Sequence, residues 1–164
     1  MSRQGGWMMM EALMAIIISL VLGAGAVSMF GASERTMYKE RVSIGLVDLA
    51  SNIRKSFSTR GDYSGLTEDA VSDLGLYPNV LAGGGPDGSE ITISPSSTGN
   101  TTFDIVLEFS DSDVAEMWCA DLLPDGRGAW VGTGVNASNL ESGMTVEEAA
   151  DACGSAKTLI FRGM

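Results

Sequence analysis

Histidine is absent from all 164 residues, which removes the commonest general base, the commonest metal ligand and every histidine-containing triad. Cations are scarce: ten Lys and Arg stand against 21 Asp and Glu, a formal net charge of -11. A chain this acidic lacks the basic footprint that phosphate backbones require, so no nucleic acid is expected among its partners. Cysteine occurs only at Cys119 and Cys153. With no candidate base to activate them, the pair reads more readily as a disulfide of an oxidising compartment than as a metal site or nucleophile; two unpaired buried thiols are the alternative. No serine or lysine sits in a recognisable nucleophile motif, and Asp111-Ser112-Asp113 does not match a calcium-binding loop. The expectation is a protein that is not an enzyme and carries no cofactor and no metal.

Charge is missing altogether from Ala12 to Ser33, and Leu13 to Phe30 is mostly Ile, Leu, Val, Met, Ala and Gly. As a helix, that length crosses a hydrocarbon core about 30 Å thick. An ordinary cleaved signal peptide has a basic start, a shorter apolar core and then a small-x-small site. Only Arg3 precedes this block, and Ala24-Gly25-Ala26 lies inside it. A membrane span is the better reading.

The helical pattern continues past the span. Tyr38, Val42, Leu46, Leu49, Ile53 and Phe57 follow at steps of three or four, so one helix is predicted from about residue 8 to residue 57, with its second half packed on a head. Gly23, Gly25, Gly31 and Gly45 interrupt it, each costing about 1 kcal/mol relative to Ala. They predict either close packing in a bilayer or a segment able to stretch when subunits pack. Residues 34 to 60 hold six cations against three acids, and residues 61 to 164 hold three against 17. A basic stalk thus joins an acidic head, either as two solvated faces or as surfaces that attract between neighbouring subunits.

Beyond Gly61-Asp62-Tyr63-Ser64-Gly65 the pattern predicts a short helix from Thr67 to Leu74 and a hairpin of Glu90 to Ser94 with Thr102 to Phe109. A helix capped by Ser110 or Ser112 and running through Leu123 follows, then a strand from Ala129 to Val135. Thr145 to Glu148 is a capping-box pattern opening a helix to Cys153, and Thr158 to Phe161 makes a last strand. The glycine-rich stretch from Ala82 to Gly88 lacks the flanking strand and helix of a phosphate-binding loop. The fold class expected is α+β: a long N-terminal hydrophobic helix packed on a small antiparallel-sheet head.

One residue offends membrane physics. Glu11 stands at the start of the apolar helix, where an acid costs up to about 2.5 to 3.5 kcal/mol at bilayer depth. A position at the headgroup level, near the positive end of the helix dipole, would offset that in a free subunit.

The string around it, Gly5-Gly6-Trp7-Met8-Met9-Met10-Glu11-Ala12-Leu13, resembles the class III leader of type IV prepilins. The resemblance implies cleavage by a prepilin peptidase between Gly6 and Trp7, leaving Glu11 as the fifth mature residue. It also implies a role in assembly, with Glu11 pairing to the α-amine freed on Trp7 of a neighbouring subunit; a half-made ion pair in lipid is costly, so pairing would select one register. The late cysteine pair, with Cys153 ending a short helix before a final strand, is similar to that of the type IVb pilins, including the major pilins of conjugative thin pili. A Cys119 to Cys153 bond would close a loop of about 35 residues, worth about 3.8 kcal/mol in the chain-entropy model.

The implied domains are a leader at 1–6, an N-terminal helix at 7–60 and a globular head at 61–164. The implied partners are copies of the chain itself in a helical homopolymer, the peptidase, the membrane before assembly and an assembly platform in the bacterial inner membrane. The final location is an extracellular fibre, for conjugative mating or adhesion. Gly23 and Gly25 would supply helix flexibility. A minor pilin or a type II secretion pseudopilin shares every N-terminal feature, and an uncleaved membrane-anchored binding module is the rival from another class.

Overall fold

The computed structural model describes Met14 and residues 34–97, 100–125, 129–136, 138–141 and 146–164. The chain divides into two compact units, Met1–Tyr38 and Lys39–Met164. Of the first, Met14 and residues 34–38 are described, all of them helical. The expected leader and, Met14 apart, the expected span lie outside the described residues, and no helix among the described residues is long and apolar enough to cross a membrane.

Residues 34–57 are helical and form α1. Its apolar residues recur every three or four positions, so they share one face, and the second unit uses that face as core: Val42, Leu46, Leu49, Ile53 and Phe57 are at most 4% exposed. Tyr38, the first position of the predicted stripe, belongs to the first unit and is 39% exposed. Gly45 lies on the buried face, where an added Cβ would come within 2.5 Å of Val80 Cγ1. Its absence of a side chain lets the 76–81 segment close on α1, where Asn52 Nδ2 donates to the Leu76 carbonyl at 3.0 Å. Gly45 therefore serves head packing, a role that neither bilayer packing nor softening describes; Gly23, Gly25 and Gly31 lie outside the described residues.

Helix α2 (Glu68–Asp73) starts where Thr67 Oγ1 accepts from the Ala70 N–H at 3.2 Å, with Glu68 and Asp69 in the first turn. Strands β1 (Glu90–Pro95) and β2 (Phe103–Glu108) form the predicted hairpin. Alternation decides their faces: Ile91, Ile93, Phe103, Ile105 and Leu107 are buried while Glu90, Thr92 and Glu108 are exposed.

The remaining strands are β3 (Gly132–Val135), β4 (Ser138–Glu141) and β5 (Thr158–Gly163). They complete an antiparallel sheet in the order β1-β2-β5-β3-β4. The last strand in sequence is the central one. Leu159, Ile160 and Phe161 are all buried, which explains an apolar run where edge strands alternate. Across β2 and β5, Phe103 faces Gly163, and its ring occupies the space that a Gly163 side chain would fill.

Two helices separate these strands, α3 (Ser112–Asp125) and α4 (Val146–Cys153). The cap of α3 is Asp111 rather than Ser110 or Ser112: its Oδ1 accepts from the Asp113 N–H at 2.8 Å, and its carbonyl accepts from Ala115. A carboxylate so placed also faces the positive end of the helix dipole. β3 begins at Gly132, later than predicted, because the Ala129 carbonyl is bonded to Arg54 of α1 instead of to a ladder. Edge strand β4, Ser138–Glu141, is not anticipated by its weakly patterned sequence. Thr145, the predicted cap of α4, lies outside the described residues.

Candidate functional site

Of the residues singled out from sequence, the structure brings together Cys119 and Cys153. They form a disulfide with the Cα atoms 5.7 Å apart, joining the middle of α3 to the last residue of α4. Both cysteines are buried, at 0% and 1% exposure. Gly6, Trp7, Glu11, Gly23 and Gly25 lie outside the described residues.

The bridge is one of several points at which the C-terminal region is tied to its surroundings. Beside it, Trp118 is buried and its Nε1 donates to Asp87 Oδ2 at 2.8 Å, so α3 also holds the Pro86–Gly88 turn. Asp87 has φ of 50°, a left-handed conformation that aspartate tolerates better than most residues. Two bonds reach α1: Lys39 Nζ pairs with the Asp121 carboxylate of α3, and Arg54 Nη2 donates to the Ala129 carbonyl at 2.9 Å. The first is half exposed and worth at most about 1 kcal/mol. Its use is registration of α3 along the helix.

The end of the disulfide loop is fastened by one side chain. Asn136 turns the chain out of β3 at φ of 50°. Its Oδ1 accepts from the Lys157 and Thr158 N–H groups at 2.9 and 3.2 Å, and its Nδ2 donates to the Ser155 carbonyl at 2.7 Å. Sequence reasoning did not single it out; the signal available was an Asn between a strand and a small-residue stretch.

On the face of the sheet opposite the core, Arg162 and Asp104 stand directly across β5 and β2 and make a two-bond fork of 2.7 and 2.8 Å. The Asp104 hydrogen bonds hold the Arg162 guanidinium more firmly protonated than usual. Past α1, Asp62 accepts from the Ser64 hydroxyl at 2.8 Å and the Ser64 N–H at 3.2 Å, which lowers its pKa below the ordinary carboxylate value. That turn delivers Tyr63 into an aromatic stack, its ring centroid 5.9 Å from Phe57 and 4.9 Å from Phe103. Burial, assisted by the charge of Glu68, pushes the Tyr77 phenol up to about 12.

Among the described residues, no three His, Cys, Asp or Glu side chains are placed to hold a metal ion. The arrangement is one of packing and cross-linking: a helix built into a head whose C-terminal third is strapped to it.

A helix over residues 34–57, an antiparallel sheet packed with it around one core and a disulfide-closed C-terminal region match the type IV pilin fold. The crystal structure of TcpA, a type IV pilin from Vibrio cholerae El Tor biotype, superposes with a TM-score of 0.56 at 10% sequence identity. The match covers 78% of this chain and 99% of that one. No protein-family model matches the sequence, and no curated protein matches it either.

Proposed function

We propose that the chain is the precursor of a structural subunit of a type IV pilus, polymerised through its N-terminal helix. The observation that carries the reading is the division of labour along the N-terminal segment. From Val42 to Phe57 its apolar face is spent on the head core, whereas the preceding uncharged stretch from Ala12 to Ser33 is left for lipid and then for other subunits. The likeness to TcpA supports the fold on which the reading depends.

In this reading a prepilin peptidase removes Met1 to Gly6, Trp7 supplies the new α-amine, and Glu11 of one copy pairs with that amine on the next. The subunit waits in the bacterial inner membrane, meets an assembly platform there, and ends in an extracellular fibre with acidic heads outward. Gly23 and Gly25 supply compliance as the helices pack. The mechanism is packing, not turnover, and the disulfide suits a small head exposed to shear. The form of the C-terminal cysteine pair favours a fibre of the conjugative thin-pilus kind, serving mating or adhesion.

Intact-mass analysis of sheared surface fibres from cells with a prepilin peptidase tests this. The expected main species begins at Trp7. Retention of Met1 to Gly6, or absence of the chain from fibres, overturns it. Glu11→Val is expected to be processed but poorly assembled, and normal fibres from that variant remove the pairing argument.

A further inference from the structure

The head is acidic almost everywhere, with 17 acids against three cations over residues 61–164. Two exposed cations close together are therefore conspicuous among the described residues. Where α1 finishes, Lys55 and Arg60 are exposed, and Arg60 lies 5.3 Å over the centroid of the Phe57 ring. The aromatic stack of Phe57, Tyr63 and Phe103 lies beneath Arg60. Of the acids nearby, Asp104 is held by both arms of the Arg162 fork, and Asp62, bonded to the Ser64 hydroxyl and N–H, stays charged and offsets part of the Arg60 charge. Among the described residues neither Lys55 nor Arg60 is in an ion pair.

The other end of the sheet has the opposite character. β1 and β2 run antiparallel, so Pro95 and Phe103 lie together at the cationic end while Glu90 and Glu108 face each other at the far one. A six-residue strand rises about 3.3 Å per residue, which separates the two ends by about 17 Å. Phe109 bonds to the Lys157 carbonyl there, and Asp111 and Asp113 open α3 immediately beyond. Glu90, Glu108, Asp111 and Asp113 are all exposed. Paired like charges on opposite strands are unfavourable within one molecule, and a cation from outside relieves them.

We propose that the Lys55–Arg60 end of one head seats against the Glu90–Glu108–Asp111 end of the next copy, a head-to-head contact that operates alongside helix packing. It rests on the reading of the chain as a homopolymer subunit. The partner is a second copy because charges of opposite sign stand at opposite ends of the same sheet, so that each copy offers both halves of the contact. A contact between opposite ends is heterologous, the type from which filaments are built.

Zero-length carbodiimide cross-linking of parental fibres, followed by peptide mass spectrometry, reads the contact directly. Lys55 is expected to be joined to Glu90, Glu108, Asp111 or Asp113. The length of the sheet forbids that link within one head, so it reports two copies. Fibres in which Lys55 carries no such link, or links to a different protein, overturn the proposal while leaving the fibre-subunit reading intact. In the full chain, Lys55→Glu with Arg60→Glu is expected to lower the yield of sheared fibres about tenfold, and adding Glu90→Lys with Glu108→Lys to restore it. Parental yield from the first variant overturns the contact. If it fails to accumulate as oxidised subunit, the cross-link map of parental fibres decides. Failure of the parental chain to form fibres removes the underlying reading and the contact with it.

Discussion

The β1–β2 hairpin and the disulfide-bounded segment from Cys119 to Cys153 are held in the same head by different physics. In the hairpin every second residue is a large apolar side chain, and Ile91, Ile93, Ile105 and Leu107 reach the core by alternation alone. The later segment is rich in Gly, Ser, Asn and Asp and offers few such anchors. It is secured at discrete points instead: the disulfide, the Lys39–Asp121 pair, the Arg54 bond to Ala129 and the Asn136 clasp. Burial is distributed and tolerates losing a part. A tie is local, and losing one frees whatever lies beyond it.

The largest expected effect follows from the covalent tie. Replacing both cysteines, Cys119→Ala with Cys153→Ala, should lower the stability of the full chain by about 3.8 kcal/mol, the loop-closure contribution of a 35-residue loop. Hydrogen exchange separates the two regions. Amides from α3 to α4 should lose protection well before those of β1 and β2. Uniform acceleration would mean that the segment and the hairpin form one cooperative unit, and the contrast would fail.

Next in size is the clasp. Asn136→Ala removes hydrogen bonds to three backbone groups and places alanine at φ of 50°, together costing about 2 kcal/mol. Asn136→Gly relieves the backbone part and should recover about half. Thermal unfolding of the two variants apportions the loss; equal destabilisation would show that the side-chain bonds carry all of it.

The same contrast explains what could be read in advance. Alternation and 3.6-residue spacing are written in side-chain type, so the α1 stripe, the hairpin and the final strand are visible in the residues themselves. So is the cysteine pair, because only two are present. The central position of β5, between β2 and β3, is a long-range choice, and the apolar run of Leu159 to Phe161 only hints at it. The polar ties are less legible still. Arg54 looks like one more cation of the stalk until its bond to the Ala129 carbonyl is seen, and Gly45 looks like a weakness of a helix until Val80 closes over it. Asp111 and Ser112 are both good caps on composition, and only the path of the chain selects the first. The residues proposed for cleavage, Gly6 and Trp7, and for assembly, Trp7 and Glu11, are the reverse case, read from spacing and resemblance but lying outside the described residues.

The smallest expected effect asks whether a polar tie matters in the burial-held half. Asp62 shapes the turn that feeds Tyr63 into the stack with Phe57 and Phe103. Its carboxyl titrates below the ordinary value of 3.8 because the Ser64 hydroxyl and N–H favour the charged form, with Arg60 adding to the shift. A lowered folded-state pKa means that the unfolded chain binds the proton first. The contribution is therefore fully present above the ordinary value and is lost as the pH falls through the folded one. Asp62→Asn should be slightly less stable than the parent at neutral pH, and the two should converge in acid. Because the turn is solvent-facing and the stack behind it is buried, the gap should be far smaller than that of Asn136→Ala. A gap as large would show that the aromatic stack depends on its turn, and that the two regions of the head are held in the same way after all.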